Sequence, residues 1–233
     1  MNILITGHTS GIGESLLKIF KSENNVIYGI ARNKSKKIKD SNQLAIDLSD
    51  INNIKFSSEW ASNLKIDTFI HCAGYNPITS LLDATPDIYL KCFNLHFLSA
   101  AQITREVIRH KKNSGILKIL LISSIWSIIS ADSRGPYSVS KNCLNTLAKQ
   151  IAVEHYLDNV QSLSLALGFV ETALTELTKN DMKIKNAKDR YLFPNDKIPN
   201  SQKAAQIIAD ITKQDLSMLN GNTLNLDGGI ICQ

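Results

Sequence analysis

Along the chain, short runs of aliphatic and β-branched residues alternate with longer stretches in which apolar residues recur every three or four positions. Runs of the first kind, apolar without an in–out rhythm, mark strands covered on both faces. Their alternation with helical stretches is the pattern of repeated βαβ units around a parallel sheet. Strands are predicted at residues 2–6, 26–31, 44–48, 68–73, 117–123, 162–166 and 223–226, and helices at 12–22, 86–111, 137–156 and 202–212. No internal repeat and no Pro/Gly/Ser-rich linker divides the sequence. Residues 1–233 are therefore read as one α/β domain, a doubly wound seven-stranded parallel sheet with helices on both faces. Two stretches break the alternation. Residues 33–39 form a basic turn, and residues 171–200, charged and poor in apolar anchors, read as a lid over a site.

Composition narrows the function classes. With 233 residues, 43% of them hydrophobic and 20% charged, the chain can bury a substantial core, which excludes disorder and small disulfide scaffolds. The net charge of +5 is spread through the sequence, far from the dense basic face of a dedicated nucleic-acid binder, so no nucleic-acid partner is expected. Cys72, Cys92, Cys143 and Cys232 are too far apart for a CxxC pair, which predicts free thiols in a reducing compartment. Residues 1–6 run into a strand with no basic leader, and residues 116–131, interrupted by Lys118, fall short of a bilayer span. A cytoplasmic location without a membrane partner is expected. No pair of the five histidines has metal-ligand spacing, so no metal is expected, and His8 reads as turn filler.

Three clusters carry chemistry. The first strand empties into Gly7-His8-Thr9-Ser10-Gly11-Ile12-Gly13 just before a helix. Glycines there let the backbone turn sharply and bring helix N-terminal amides close to a pyrophosphate, as in a Rossmann fold. The second strand ends at Arg32, where NAD-binding folds place an acid for the ribose 2′-hydroxyl. A guanidinium suits a 2′-phosphate instead, and Lys34, Lys36 and Lys37 add positive potential. Finally, Tyr137 and Lys141 stand four apart on one helical face. Ser124 ends the preceding strand, with Ser123 as its rival, because alternation turns only one of them into a cleft.

This ordered set resembles the short-chain dehydrogenase/reductase family over essentially the whole chain, with the branch containing 3-oxoacyl-acyl-carrier-protein reductases as the nearest likeness. By that resemblance, Gly7, Thr9, Ser10, Gly11, Ile12 and Gly13 form the cofactor loop. Asp47 in Ala45-Ile46-Asp47-Leu48 matches the acid that contacts the adenine, with Leu48 beside it, and Ala73-Gly74 closes the motif after the fourth strand. Asn94, Ser124, Tyr137 and Lys141 match the catalytic tetrad, and Val170 and Thr172 fall where the family touches the nicotinamide carboxamide. The ending Gly221 to Gly229 matches the last strand. Three departures stand out: His71-Cys72 replaces Asn-Asn, Leu167 replaces a proline, and Ser127 replaces a glycine after the catalytic serine.

What the resemblance implies is an oxidoreductase that interconverts a ketone or aldehyde and an alcohol, with NADP(H) favoured on Arg32 and NAD(H) also allowed. Tyr137 would exchange the proton, Ser124 would bond the substrate oxygen, and Lys141 would lower the tyrosine pKa and hold the nicotinamide ribose. Asn94 would position a water. The substrate is a small carbonyl or alcohol, a carrier-protein-bound thioester among them. A sugar or secondary-metabolite carbonyl reductase, or a non-catalytic dinucleotide-binding regulator, are the alternatives. The resemblance also implies a homodimer or homotetramer. Trp126 is a candidate pocket wall, and Leu90, Phe93, Phe97 and Ile103 are read as an apolar face, either core or a four-helix contact.

Overall fold

The computed structural model describes residues 1–111, 114–172 and 198–232. Seven parallel strands form one sheet in the order β3-β2-β1-β4-β5-β6-β7. They are β1 (Asn2–Thr6), β2 (Val26–Ala31), β3 (Gln43–Ala45), β4 (Thr68–His71), β5 (Leu117–Ser124), β6 (Val160–Leu167) and β7 (Thr223–Leu226). The α-helices among the described residues are α1 (Gly11–Ser22), α2 (Ile51–Ser62), α3 (Pro86–Cys92), α4 (Ser99–Arg109), α5 (Gly135–His155) and α6 (Ser201–Lys213).

Side-chain alternation along the strands divides the core into two layers. Ile3, Ile5, Ile27, Ile70, Leu120, Ile122, Leu163 and Leu165 meet α1 through Leu16, Leu17 and Phe20, and α6 through Ala205, Ile208 and Ala209. Leu4, Ile30, Phe69, Ile119 and Leu121 point the other way. They meet Ala61 of α2, Ala100, Ile103 and Val107 of α4, and Leu144, Ala148 and Ile151 of α5. Both faces are covered, as the unbroken apolar runs require.

Most predicted elements agree with the structure to within two residues, and the exceptions have local causes. Strand β3 is three residues long because Asp47 turns aside to accept hydrogen bonds from the Ser49 amide (2.9 Å) and hydroxyl (2.8 Å), while Leu48 joins the layer under α2 and α4. The helix predicted over 86–111 is α3 and α4 joined by a π-helical stretch, Phe93–Leu98. The chain therefore does not present the expected single apolar face: Ile103 is fully buried, Leu90 is 58% exposed, and Phe93 and Phe97 are half-buried. Helix α2 is an addition, started by Asp50, whose side chain accepts from the Asn52 amide. Most of the segment read as a lid, residues 173–197, lies outside the described residues.

The order of the strands reverses direction at β1, with β2 on one side and β4 on the other. Crevices open at the carboxyl ends of strands at such a switch point. The ends of β1, β4, β5 and β6 therefore define where a ligand would lie.

Candidate active site

At the end of β1 the chain turns at Gly7, whose φ is +73°. A Cβ there would come within 2.9 Å of the Ala73 Cα, so the loop after β1 and the loop after β4 touch backbone to backbone. Gly13, in the first turn of α1, packs under the Gly7 carbonyl so closely that any side chain would collide with it. The α1 N-cap, Ser10, is extended at φ −152° and makes no side-chain hydrogen bond to the helix. The first-turn amides are left without a side-chain cap, next to the positive end of the helix dipole. That cradle fits a dinucleotide pyrophosphate.

A cleft of about 360 Å³ runs from this loop to the end of β5. Of the residues singled out from sequence, Gly7, Ser10, Gly11, Ile12, Arg32, Gly74, Ser124, Tyr137, Lys141, Val170 and Thr172 line it. Thr9, Gly13, Asp47, Leu48, Ala73 and Asn94 are not among the residues that line it. The Asn94 carboxamide donates to the Ser49 carbonyl at 2.9 Å, and the Asn94 backbone carbonyl accepts the Ser99 amide across the π-helical turn.

Helix α5 delivers the central pair. It starts at Gly135-Pro136, a proline at a position whose amide needs no partner, and so presents Tyr137 and Lys141 on successive turns at the cleft. The Ser123 and Ser124 rivalry resolves by geometry. Both serines line the cleft, but the Ser123 hydroxyl is spent on Ser127 (3.1 Å) and the Lys141 carbonyl (3.0 Å), whereas Ser124 accepts the Trp126 amide at 3.3 Å and its side chain pulls the Tyr137 pKa down. Ser127, at the place of the usual glycine, accepts from Asn145 Nδ2 at 2.8 Å and so ties β5 to α5.

Burial sets the protonation of this pair. Tyr137 is pushed up to about 12 by desolvation, against the opposing pull of the Ser124 hydrogen bond and the Arg134 charge. Lys141 is pushed down to about 8 by burial. Its ammonium donates to the Ile122 carbonyl at 2.6 Å and sits 5.8 Å from the Tyr137 ring centre. Desolvation outweighs the lowering expected from Lys141, whose ammonium is held by that carbonyl, so the tyrosine stands above its ordinary pKa rather than below it.

Two histidines brace the site: His71, already marked in the sequence as a departure, and His96, which the sequence did not flag. His71 receives the Thr6 hydroxyl proton at Nδ1 (3.0 Å), because Thr6 Oγ1 already accepts the amides of Cys72 and Ala73 at 3.1 Å. It thus fastens β1 to β4 from the position where the resembled family carries an asparagine. His96 accepts the Tyr75 amide at Nε2 (3.0 Å), so its Nδ1 donates to Ser140 (2.8 Å), and its ring stands edge-on to Tyr137 at 5.6 Å. It clamps the loop after β4 to α5 beneath the tyrosine. Cys72, Ile122, Leu167 and Gly168 also line the cleft. Cys72, Leu167 and Gly168 stand at positions of the resembled motifs, while Ile122 is brought there by the fold alone.

Beside Ser124, Ile125, Phe169 and Ile230 form a small apolar cluster, with Trp126 stacked edge-on to Phe169 at 5.6 Å. Trp126 is thus a packing residue on the flank of the site.

A family model described as short chain dehydrogenase matches residues 1–183. Dehydrogenase/reductase SDR family member 4 of Sus scrofa is 26% identical over 168 residues, covering 70% of this chain, and the match spans only 59% of that relative's length. A tropinone reductase homolog of Arabidopsis thaliana is 26% identical over 241 residues, covering 98% of this chain and 90% of the relative. Among solved structures, a 4-hydroxyisoleucine dehydrogenase complexed with NADH superposes with a TM-score of 0.85 at 24% identity, over 100% of this chain and 99% of that one. A seven-stranded parallel sheet, a glycine-lined cleft at its switch point and a match to the family model over most of the sequence together place this chain in the short-chain dehydrogenase family.

Proposed function

We propose that the protein is an NADP(H)-dependent oxidoreductase that interconverts an apolar ketone or aldehyde and its alcohol, with Tyr137 as the proton donor and acceptor. The observation that carries the reading is the meeting of Ser124 and Tyr137 in the same cleft as Lys141 and the glycine loop. The bound nicotinamide cofactor supplies or accepts the hydride. Tyr137, protonated at neutral pH, gives its proton to the substrate oxygen in reduction, and Ser124 bonds that oxygen as negative charge builds on it. Lys141, a cation held at the floor of the cleft, stabilises the tyrosinate left behind and reaches the ribose side. Asn94 serves through its backbone position, since its carboxamide is bonded to Ser49. Gly7, Ser10, Gly11 and Ile12 would hold the pyrophosphate, and Val170 and Thr172 the nicotinamide end.

Arg32, exposed and lining the cleft, supports the choice of NADP(H). The neighbouring lysines support it less than their number suggests, because Lys34 pairs with Asp40 at 2.7 Å and Lys37 with Glu14. Cys72, Ile122, Leu167 and Val170 give the cleft an apolar lining, which favours an apolar carbonyl over a polyhydroxylated sugar. A 3-oxoacyl thioester belongs to that apolar class. A homo-oligomer and a cytoplasmic location complete the proposal, supported by exposed Val153, Tyr156 and Leu157 at the end of α5 and by four free cysteines.

The test of cofactor choice is calorimetric titration with NADPH and NADH. A charged hydrogen bond of this kind contributes roughly 1.5–3 kcal/mol, so Arg32→Ala should weaken NADPH about ten- to a hundredfold and leave NADH nearly unchanged. Equal affinities in the wild type, or an equal loss of both in the variant, would remove Arg32 from the phosphate site.

A further inference from the structure

The residue His8, read from sequence as turn filler, is fully buried. It leaves the glycine loop sideways and lies over β2 at Gly29, where a Cβ would meet its ring atoms at 2.5–2.7 Å. Gly29 pairs in register with Gln43 of β3. A glycine inside a strand weakens it, and here the missing side chain is what lets an imidazole cross one strand and reach the next. His8 Nε2 comes to rest 3.2 Å from Gln43 Oε1.

Gln43 is itself 5% exposed and holds the basic turn from both polar ends of its carboxamide. Oε1 accepts the Ser35 amide at 2.8 Å, while Nε2 donates to the carbonyls of Ser35 (2.9 Å) and Ile38 (3.3 Å). Those backbone partners fix which end is oxygen, so His8 must bear its proton on Nε2 to satisfy that oxygen. Burial keeps the ring neutral, which suits this one-proton arrangement. The phosphate loop and the turn that follows Arg32, separated in sequence by α1 and β2, are thereby joined through one buried hub.

We propose that His8 and Gln43 are positioning residues for cofactor discrimination, forming a lock that fixes the 33–39 turn against the phosphate loop and so holds Arg32 at the adenosine ribose. The inference rests on the reading of Arg32 as the 2′-phosphate contact and adds what holds that contact in place. Without the hub, the turn keeps its charges and loses its anchor. Ordering it again on cofactor binding then costs conformational entropy that the locked form has already given up.

Two variants test the lock. Gln43→Leu removes the hub at similar volume. His8→Ala combined with Gly29→Ala removes the imidazole and fills part of its space, since the His8 ring supplies the nearest atoms to a Cβ at Gly29. Two readouts are taken on each: hydrogen exchange across residues 33–39, and the ratio of NADPH to NADH affinity by fluorescence titration. The expected result is faster exchange at Ser35 and a ratio reduced about tenfold in both variants. The double variant serves where Gln43→Leu does not fold. Unchanged exchange at Ser35 overturns the lock whatever the cofactor does. Faster exchange with a ratio held within about twofold overturns its role in discrimination. Equal affinities already in the wild type overturn the Arg32 reading together with that role, and this is seen before any variant is made.

Discussion

Mild acid should destabilise this protein through histidines rather than carboxylates. His8, His71 and His96 are fully buried, and burial holds all three below the ordinary imidazole value. For His71 the fall is to about 3, with the Lys141 charge adding to the effect of burial. The unfolded chain takes up a proton on this ring below about pH 6.5, whereas the folded chain refuses it until about pH 3. The stability linked to His71 is therefore complete above pH 6.5 and is lost as the pH falls through that window. At pH 5 the loss is about 2 kcal/mol from His71 alone, accumulating at roughly 1.4 kcal/mol per pH unit below pH 6. His8 and His96 add slopes of the same sign, a serious loss against a typical total of about 5–15 kcal/mol. Urea denaturation followed by circular dichroism at pH 7, 6, 5.5 and 5 gives the slope for wild type and for His71→Asn. The asparagine Oδ1 can still accept the Thr6 hydroxyl but does not titrate. The variant should lose about one proton from the slope, roughly 1.4 kcal/mol per pH unit. Parallel wild-type and variant curves would refute the reasoning, whichever protein is the more stable at pH 7.

Other expectations follow from the same geometry. Gly13→Ala drives a methyl into the Gly7 carbonyl, so it should weaken cofactor binding at least about tenfold and lower the melting temperature, both measurable in one fluorescence experiment. Because burial brings Lys141 to about 8, the rate of carbonyl reduction at saturating cofactor should begin to fall near pH 8 as its charge is lost. A pH profile that stays flat to pH 10 would detach Lys141 from the proton transfer.

Much of the fold was legible because strands in a doubly covered sheet have no choice but to be apolar. Leu117 to Ile122 could hardly be anything else. Helix α2 was not legible: two of its four buried positions, Ser57 and Ser58, are polar residues whose hydroxyls bond back to the Ile54 and Lys55 carbonyls at 2.8 Å. A polar residue in the core also hid the start of β6, where Gln161 donates to Asp215 at 2.9 Å and accepts the Leu216 amide at 3.0 Å. The π-helical turn at Phe93–Leu98 changes hydrogen-bond spacing without changing hydropathy, so nothing in the pattern announces it.

In the candidate site, residues tied to one element by a short spacing could be read, as Tyr137 and Lys141 were. Residues that meet only through the tertiary fold could not, and His96, which touches Tyr75, Ser140 and Tyr137, is the example. The basic turn shows the same limit from the other side: its charges were visible, while the pairing of Lys37 with Glu14 and the buried anchor at Gln43 were not.

The central claim is that Tyr137 moves the proton while the cleft around it binds the cofactor. Tyr137→Phe deletes the hydroxyl that faces the cleft and keeps the ring that packs against His96. NADPH consumption is to be followed with a panel of apolar ketones and aldehydes, alongside NADPH affinity from fluorescence titration. General acid catalysis contributes about 10²–10⁴-fold, so turnover on the best substrate should fall by that factor while the affinity for NADPH stays within about twofold. A Phe variant that keeps more than about a tenth of the wild-type rate would contradict the account.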